Sequence, residues 1–316
     1  MKFALKRLLQ FVLTMVIVSF LAFVAFDLIS GDPATALLGT EASAESVAAL
    51  RQEMGLDRPL PVRYAEWLMG FFTGDLGISY SYHQSVASLI APKIMVTLLL
   101  SLVSFLLIVA VSLPLGLRAA HRTGGVWEAL SSAFNQLCMA VPPFFTGMLL
   151  SYVFGILLKW FMPGSFPDLR QDFGGAMRHI LFAAVAIAIP RIAMTVRMLK
   201  STIQAEMGKA YVRTAISRGN DRSQVLRRHV LKNALVPVVS FLAQTMAEIV
   251  AGGIVVEQVF AIPGLGRMLV ASISNRDYPM VQAIVVILAL WVVLAGTVAD
   301  LINQRIDPRL RLGGGE

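Results

Sequence analysis

The chain has 316 residues, 57% of them hydrophobic and only 15% charged, with a mean hydropathy of +0.72. A soluble domain of this length is not that apolar, so an integral membrane protein is the direct reading. The formal charge of +8 would raise nucleic acid as a partner of a soluble protein; here basic inner loops and anionic lipid account for it, and no nucleic-acid partner is expected.

Lys2, Lys6 and Arg7 precede an apolar run from about Leu9 to Ile29. It is longer than a signal-peptide core and lacks a small-residue cleavage site, so it reads as an uncleaved first span that stops at Gly31-Asp32-Pro33. Asp27, near its outer end, reaches interfacial water. Residues 31–94 are more polar but patterned. Ser43 caps a helix reaching Met54, and Pro61 to Phe72 places Tyr64, Trp67, Leu68 and Phe71 on one helical face. This is expected to be a partly helical extracytoplasmic region packed on the outside of a helix bundle.

Five more apolar segments follow, at about Met95–Leu117, Ala129–Leu158, Ile180–Met198, Ala234–Val255 and Met280–Ile302. The third is longer than a straight crossing requires and contains Pro142-Pro143, which predicts a kink or break. The fourth contains Pro190 and Arg191. Cys138, the one cysteine, sits in apolar sequence and reads as a small packing residue. The fold class is therefore all-α, a polytopic membrane protein with six transmembrane helices. The organisation is a first span over 1–30, the outer region over 31–94, a membrane core over 95–303 with a loop at about 199–233, and a tail over 304–316. Six spans put both termini on one side. That side carries 17 Lys and Arg against 9 on the other, so the termini and the 199–233 loop are expected in the cytoplasm.

That loop is the most patterned polar stretch in the chain. Tyr211, Val212, Ala215 and Ile216 recur at helical spacing and share a face with Gly219, while Arg213, Ser217 and Asn220 point elsewhere. Gly219 suits a left-handed stop, and Asp221 with Gln224 has the spacing of a new helix start. The pattern is helix, sharp turn, helix, on the inner membrane surface.

Enzyme chemistry finds no support. No phosphate-binding G-x-x-x-x-G-K-[ST] loop is present, Gly264-x-Gly266 lacks a third glycine, and no G-x-S-x-G occurs. The four histidines are scattered, without metal-ligand spacing. No metal site and no cofactor of its own are expected.

Read against known loops, Arg213-Thr214-Ala215 with Gly219 resembles the cytoplasmic loop of permease subunits of bacterial ABC importers. Arg213 stands where the general pattern is acidic, and Pro237 lies further from Gly219 than usual. Both departures look like the dipeptide, oligopeptide and nickel branch. Gly31-Asp32-Pro33, Gly55-Leu56-Asp57, Gly74-Asp75-Leu76-Gly77, Glu257 through Pro263-Gly264-Leu265-Gly266, Arg276-Asp277-Tyr278-Pro279 and Asp307-Pro308-Arg309 look like further landmarks of that branch, so the resemblance covers nearly the whole chain. It implies the first of two different permeases, set in the inner membrane. The implied partners are the second permease, two ATPase subunits that hold ATP and Mg, and an extracytoplasmic substrate-binding protein. It also implies that the helix before Gly219 is seated in the ATPase.

The coupling residues expected on this basis are Tyr211, Val212, Arg213, Thr214, Ala215, Ile216, Gly219 and Asp221, with Tyr211, Val212, Ala215 and Ile216 as the docking face. The alternative is a basic helix lying on lipid. Asn135, Gln136, Arg191, Gln244 and Glu248 either line a pathway or hydrogen-bond between spans. Glu257, Phe260, Pro263, Gly264 and Gly266 either form an outer gate or binding-protein dock, or simply make tight turns. Cargo is expected to be a di- or oligopeptide, with nickel, metal chelates, opines or glutathione as alternatives. A rival of another class is a proton-driven transporter using Asp27, Glu248 or Asp300.

Overall fold

The computed structural model describes residues 2–29, 33–38, 42–53, 55–121 and 124–306. The described residues are helical, with one isolated bridge between Ile78 and Ser85. The landmarks Gly31-Asp32 and Asp307-Pro308-Arg309, and the side chain of Asp27, lie outside the described set.

The helices in order are α1 (Lys2–Ile29), α2 (Pro33–Leu38), α3 (Ala44–Glu53), α4 (Leu60–Thr73), α5 (Val86–His121), α6 (Val126–Ala140) and α7 (Pro143–Leu150), the last continued by a π-helical segment, Ser151–Leu157. Then come α8 (Phe173–Met207), α9 (Ala210–Ser217), α10 (Arg222–Val225), a second π-helical segment at Leu226–Val230, α11 (Leu231–Val259), α12 (Leu265–Ser274) and α13 (Tyr278–Ile306).

Among the described residues four helical stretches are long and apolar enough to cross a membrane: Val86–His121, Phe173–Met207, Ser223–Val259 and Tyr278–Ile302. The pair Val126–Ala140 and Pro143–Leu157 makes a fifth if counted as one broken span. The expected break is there, and it bends the pair by 97°. Val141 is extended, as a residue ahead of proline must be, and the ring of Pro143 starts α7 where its missing N–H costs nothing. Pro190, by contrast, stays inside an unbroken α8.

The spans run longer than hydropathy suggests. At 1.5 Å per residue, the 35 residues of α8 reach about 50 Å, against a hydrocarbon core of about 30 Å. Hydropathy detects only the part suited to lipid; the backbone ladder continues into polar sequence at both ends. Likewise α5 begins at Val86, ahead of Met95, the expected start of the second span.

The chain divides into two compact units, residues 1–97 with 263–293 and residues 98–262 with 294–316. In the first, Ser43 caps α3 as expected, its Oγ accepting from the Ser46 N–H at 3.1 Å. The aromatic face of α4 packs on α1: the Tyr64 ring meets Phe20 and Phe23 edge-on at 5.2 and 5.6 Å, Trp67 lies 6.0 Å from Phe23, and the Tyr64 hydroxyl is 2.8 Å from Ser19 Oγ. Here too, Asp277 is fully buried and gathers the 79–81 loop. It accepts from Ser79 Oγ, from the Tyr80 N–H at 3.1 Å and from the Ser81 N–H at 3.3 Å, while its backbone carbonyl starts α13.

In the second unit α8 is the central helix, packed on α6, α7 and α11. Gly116 of α5 approaches it so closely that a Cβ there would sit 2.7 Å from Leu199.

Candidate functional site: a lever between two long helices

The site begins at the end of α8. Beyond the apolar part of that helix, Leu199 to Met207 continues helical for about 13 Å, which carries the chain away from the hydrocarbon. Gly208 and Lys209 turn it, and the eight residues of α9 follow.

Local chemistry ends α9 sharply. Gly219 has φ +86°, in the left-handed region. Its N–H donates to the Ile216 carbonyl at 2.9 Å, and the Asn220 N–H donates to the Ala215 carbonyl at 3.4 Å, the paired bonds of a Schellman stop. Asn220 Nδ2 adds a bond to the same Ala215 carbonyl at 3.0 Å. Asp221 then starts α10: its carbonyl accepts from the Val225 N–H at 2.9 Å and its Oδ2 from the Ser223 N–H at 3.2 Å.

A polar chain ties this element to both neighbouring helices. Glu206 at the end of α8 pairs with Lys209 and accepts from the Tyr211 hydroxyl at 2.8 Å; Asn233 of α11 donates to that hydroxyl at 3.5 Å. Burial, with the Glu206 carboxylate beside it, holds the Tyr211 phenol above its ordinary pKa. Glu206, Lys209 and Asn233 were not among the residues the sequence pointed to. Their signal, carboxylate, ammonium and amide on three separate elements, is not a periodic one.

The faces of α9 divide differently from the simple amphipathic reading. Val212 is 1% exposed, covered by the chain itself, and Tyr211 is engaged with Glu206 and Asn233. The surface that α9 offers outward is Arg213, Thr214, Ile216 and Ser217, with Ile216 46% exposed. Ala215 lies between the two faces.

Farther along α8 come three polar links. Lys200 pairs with Glu128 of α6 at 2.5 Å, and Asn135 Nδ2 of α6 donates to the Ala193 carbonyl at 2.9 Å. Arg191 pairs with Glu248 of α11, and Gln244 Nε2 donates to Glu248 Oε1 at 3.2 Å. So Arg191, Gln244 and Glu248 form one cluster, Asn135 clamps helices, and Gln136 is exposed on α6 without joining either. Exposed positions on α11 run Gln244, Ala251, Gly252 and Val255, with Glu248 half-exposed among them, so the cluster sits on an open face rather than in the packed core.

The residues expected at an outer gate are inside. Glu257 and Phe260 are 1% and 0% exposed; the Phe260 carbonyl accepts from His179 Nε2 at 2.7 Å, and its ring lies beside Phe161. In the other unit Gly264 and Gly266 are buried and Pro263 is half-buried, while Thr97 Oγ1 accepts from the Leu265 N–H at 2.8 Å to begin α12. Four of the five positions are thus covered by this chain, and Pro263 keeps partial exposure.

Residues 112–312 match the model of the binding-protein-dependent transport system inner membrane component family, and residues 1–103 match the N-terminal membrane component of the same systems. The chain belongs to this family. It is 32% identical, over 98% of its length and 99% of the relative's, to a probable peptide ABC transporter permease protein of Sinorhizobium fredii. It is 34% identical, over 97% and 98%, to a putative peptide transport system permease protein of Brucella abortus. A glutathione transport system permease protein of Salmonella typhimurium is 32% identical over 98% and 99%. The chain is thus a permease component of an ABC transporter, a multi-pass inner-membrane protein that works with other subunits of such a transporter.

Proposed function

We propose that this permease is the first of two unlike permeases that share one import pathway for di- or oligopeptides, and that α9 is the helix through which separate ATPase subunits drive it. On this reading there are six spans, counting α1 and the broken pair, with both termini in the cytoplasm. Two ATPases bearing ATP and Mg dock at α9, and an extracytoplasmic binding protein delivers cargo.

The observation that supports it best is the construction of the 206–225 segment. A short helix, closed by a left-handed glycine and tied through Glu206, Tyr211 and Asn233 to both long helices it connects, passes a push into both at once. The outward face Arg213, Thr214, Ile216 and Ser217 is what a partner would touch. Arg191, Gln244 and Glu248 are the groups we place on the pathway, because a charged pair on an exposed face of membrane helices is costly against lipid and sits better beside a wet path.

Peptide cargo is supported by the Sinorhizobium and Brucella relatives, both named as peptide permeases, and glutathione, itself a peptide, by the Salmonella one. The test is reconstitution. Uptake of a labelled dipeptide into proteoliposomes should require ATP and the separate ATPase subunits. Uptake by this chain alone, abolished by collapsing a proton gradient, would replace the proposal with secondary transport.

A further inference from the structure

A cleft of about 790 Å³ opens in the second unit where α5 ends beside the π-helical segment Leu226–Val230. Its wall is of two kinds. Arg118, His121 and Arg227 supply nitrogen donors, and Leu117, Leu226 and Leu231 supply apolar surface. Among the described residues no carboxylate lines it. Among the described residues the side chains of Arg118, His121 and Arg227 make no hydrogen bond or ion pair, although Lys200 and Lys209 of the same unit have both found carboxylates.

Three features narrow the occupant. Arg118 and His121 are the first basic residues after the apolar run of α5, so they stand where a span meets the headgroup layer. Two permanently charged guanidinium groups converge on one opening, the geometry that favours a phosphate oxygen set over a neutral group. The leucines continue the cleft on its apolar side, which a soluble anion cannot use and an acyl chain can. The wide π turn contributes to this shape: it places Leu226 inward, at 4% exposure, and the next residue, Arg227, in the open.

We infer that this cleft is a binding site for one anionic phospholipid, its phosphate held by Arg118, Arg227 and His121 and an acyl chain against Leu117, Leu226 and Leu231. The site lies on the segment that leads from α10 into α11. Its occupancy therefore bears on a helix joined to α9, independently of which cargo the permease carries.

The experiment uses the assembled complex in nanodiscs of equal parts phosphatidylglycerol and phosphatidylcholine, with lipid retained after detergent extraction read by native mass spectrometry. The wild type retains one phosphatidylglycerol per copy of this chain. R118Q/R227Q loses that retention about thirtyfold, at about 1 kcal/mol per basic group near an anionic headgroup. R228Q/K232Q, which removes the same charge from the same segment but away from the cleft, keeps it. The inference is overturned if both glutamine pairs lose lipid alike, if phosphatidylcholine is retained equally, or if inorganic phosphate displaces the lipid as well as added phosphatidylglycerol does. It is overturned also if the complex holds no lipid there and the amine of R118K or R227K is coupled by carbodiimide to a carboxylate of an ATPase subunit.

Discussion

Gly219 isolates the coupling proposal, because its substitution perturbs one thing. At φ +86° a side chain is strained wherever it points, yet nothing lies within 4 Å of where its Cβ would be. The penalty is therefore backbone handedness, free of any clash. Alanine costs about 1 kcal/mol and valine, branched at Cβ, about 2–3 kcal/mol, while asparagine tolerates the left-handed region and costs little. If transport requires the closed turn, those energies set its population. At most, alanine lowers uptake to roughly a fifth and valine to about 1–4 per cent, since about 1.4 kcal/mol is tenfold. The assay is ATP-driven dipeptide uptake by the complete complex in proteoliposomes, with nucleotide binding to the ATPase subunits measured beside it and unchanged. The expected order is glycine, asparagine, alanine, valine. Wild-type uptake by G219V would refute the role of the turn. Asparagine as damaging as valine would show that size at this position matters and handedness does not.

Other changes test the rest of the site. V212A removes buried apolar surface, lowering stability by about 1–2 kcal/mol by thermal unfolding; I216D leaves unfolding within about 0.5 kcal/mol yet lowers transport-stimulated ATP hydrolysis, and the reverse result would exchange the two faces of α9. For the proposed pathway cluster, R191M or E248M alone leaves its partner unpaired on a half-exposed face and destabilises by about 1 kcal/mol, whereas R191M/E248M recovers most of that stability; uptake by the double variant stays low if the pair serves cargo and returns if it only joins helices. D277A leaves the Ser79 hydroxyl and the Tyr80 and Ser81 N–H groups without their acceptor, a loss of about 3 kcal/mol in a thermal melt that D277N partly restores.

What the sequence disclosed and what it withheld divide along one physical line. Signals whose cause lies within a few residues were readable: Gly219 ending α9, Ser43 starting α3, the break at Pro142-Pro143, and the aromatic stripe Tyr64, Trp67 and Phe71. Each is a matter of dihedral preference or helical period. Val212 was legible as apolar but not as covered, because a period of 3.6 says that a face is buried without saying whether this chain or another does the burying. The same gap affects Glu257 and Phe260. Partners far apart in sequence leave no local pattern at all: Glu128 and Lys200 are 72 residues apart, Ser79 and Asp277 are 198. Pro190 shows the converse: its local rule predicts a break, yet α8, packed on α6, α7 and α11, continues through it as one helix.

Those distant pairings also bear on how α8 would act in the proposed coupling. Between Arg191 and Lys200, about 13 Å of helix, it is linked once to α11 and twice to α6, by two ion pairs and an amide bond to the Ala193 carbonyl. Apolar helix surfaces in lipid slide past one another at small cost, since tails and side chains are equally apolar. Charged links do not, because sliding by one turn leaves an ion without its partner. On the proposed coupling through α9, a displacement applied there would move α8 together with α6 and α11 and reach the Arg191–Glu248 pair. On this account E128Q, although far from α9 in sequence and clear of the outward docking face, lowers uptake per ATP hydrolysed while leaving ATPase binding intact. An unchanged ratio of uptake to hydrolysis would mean that force travels by α11 alone.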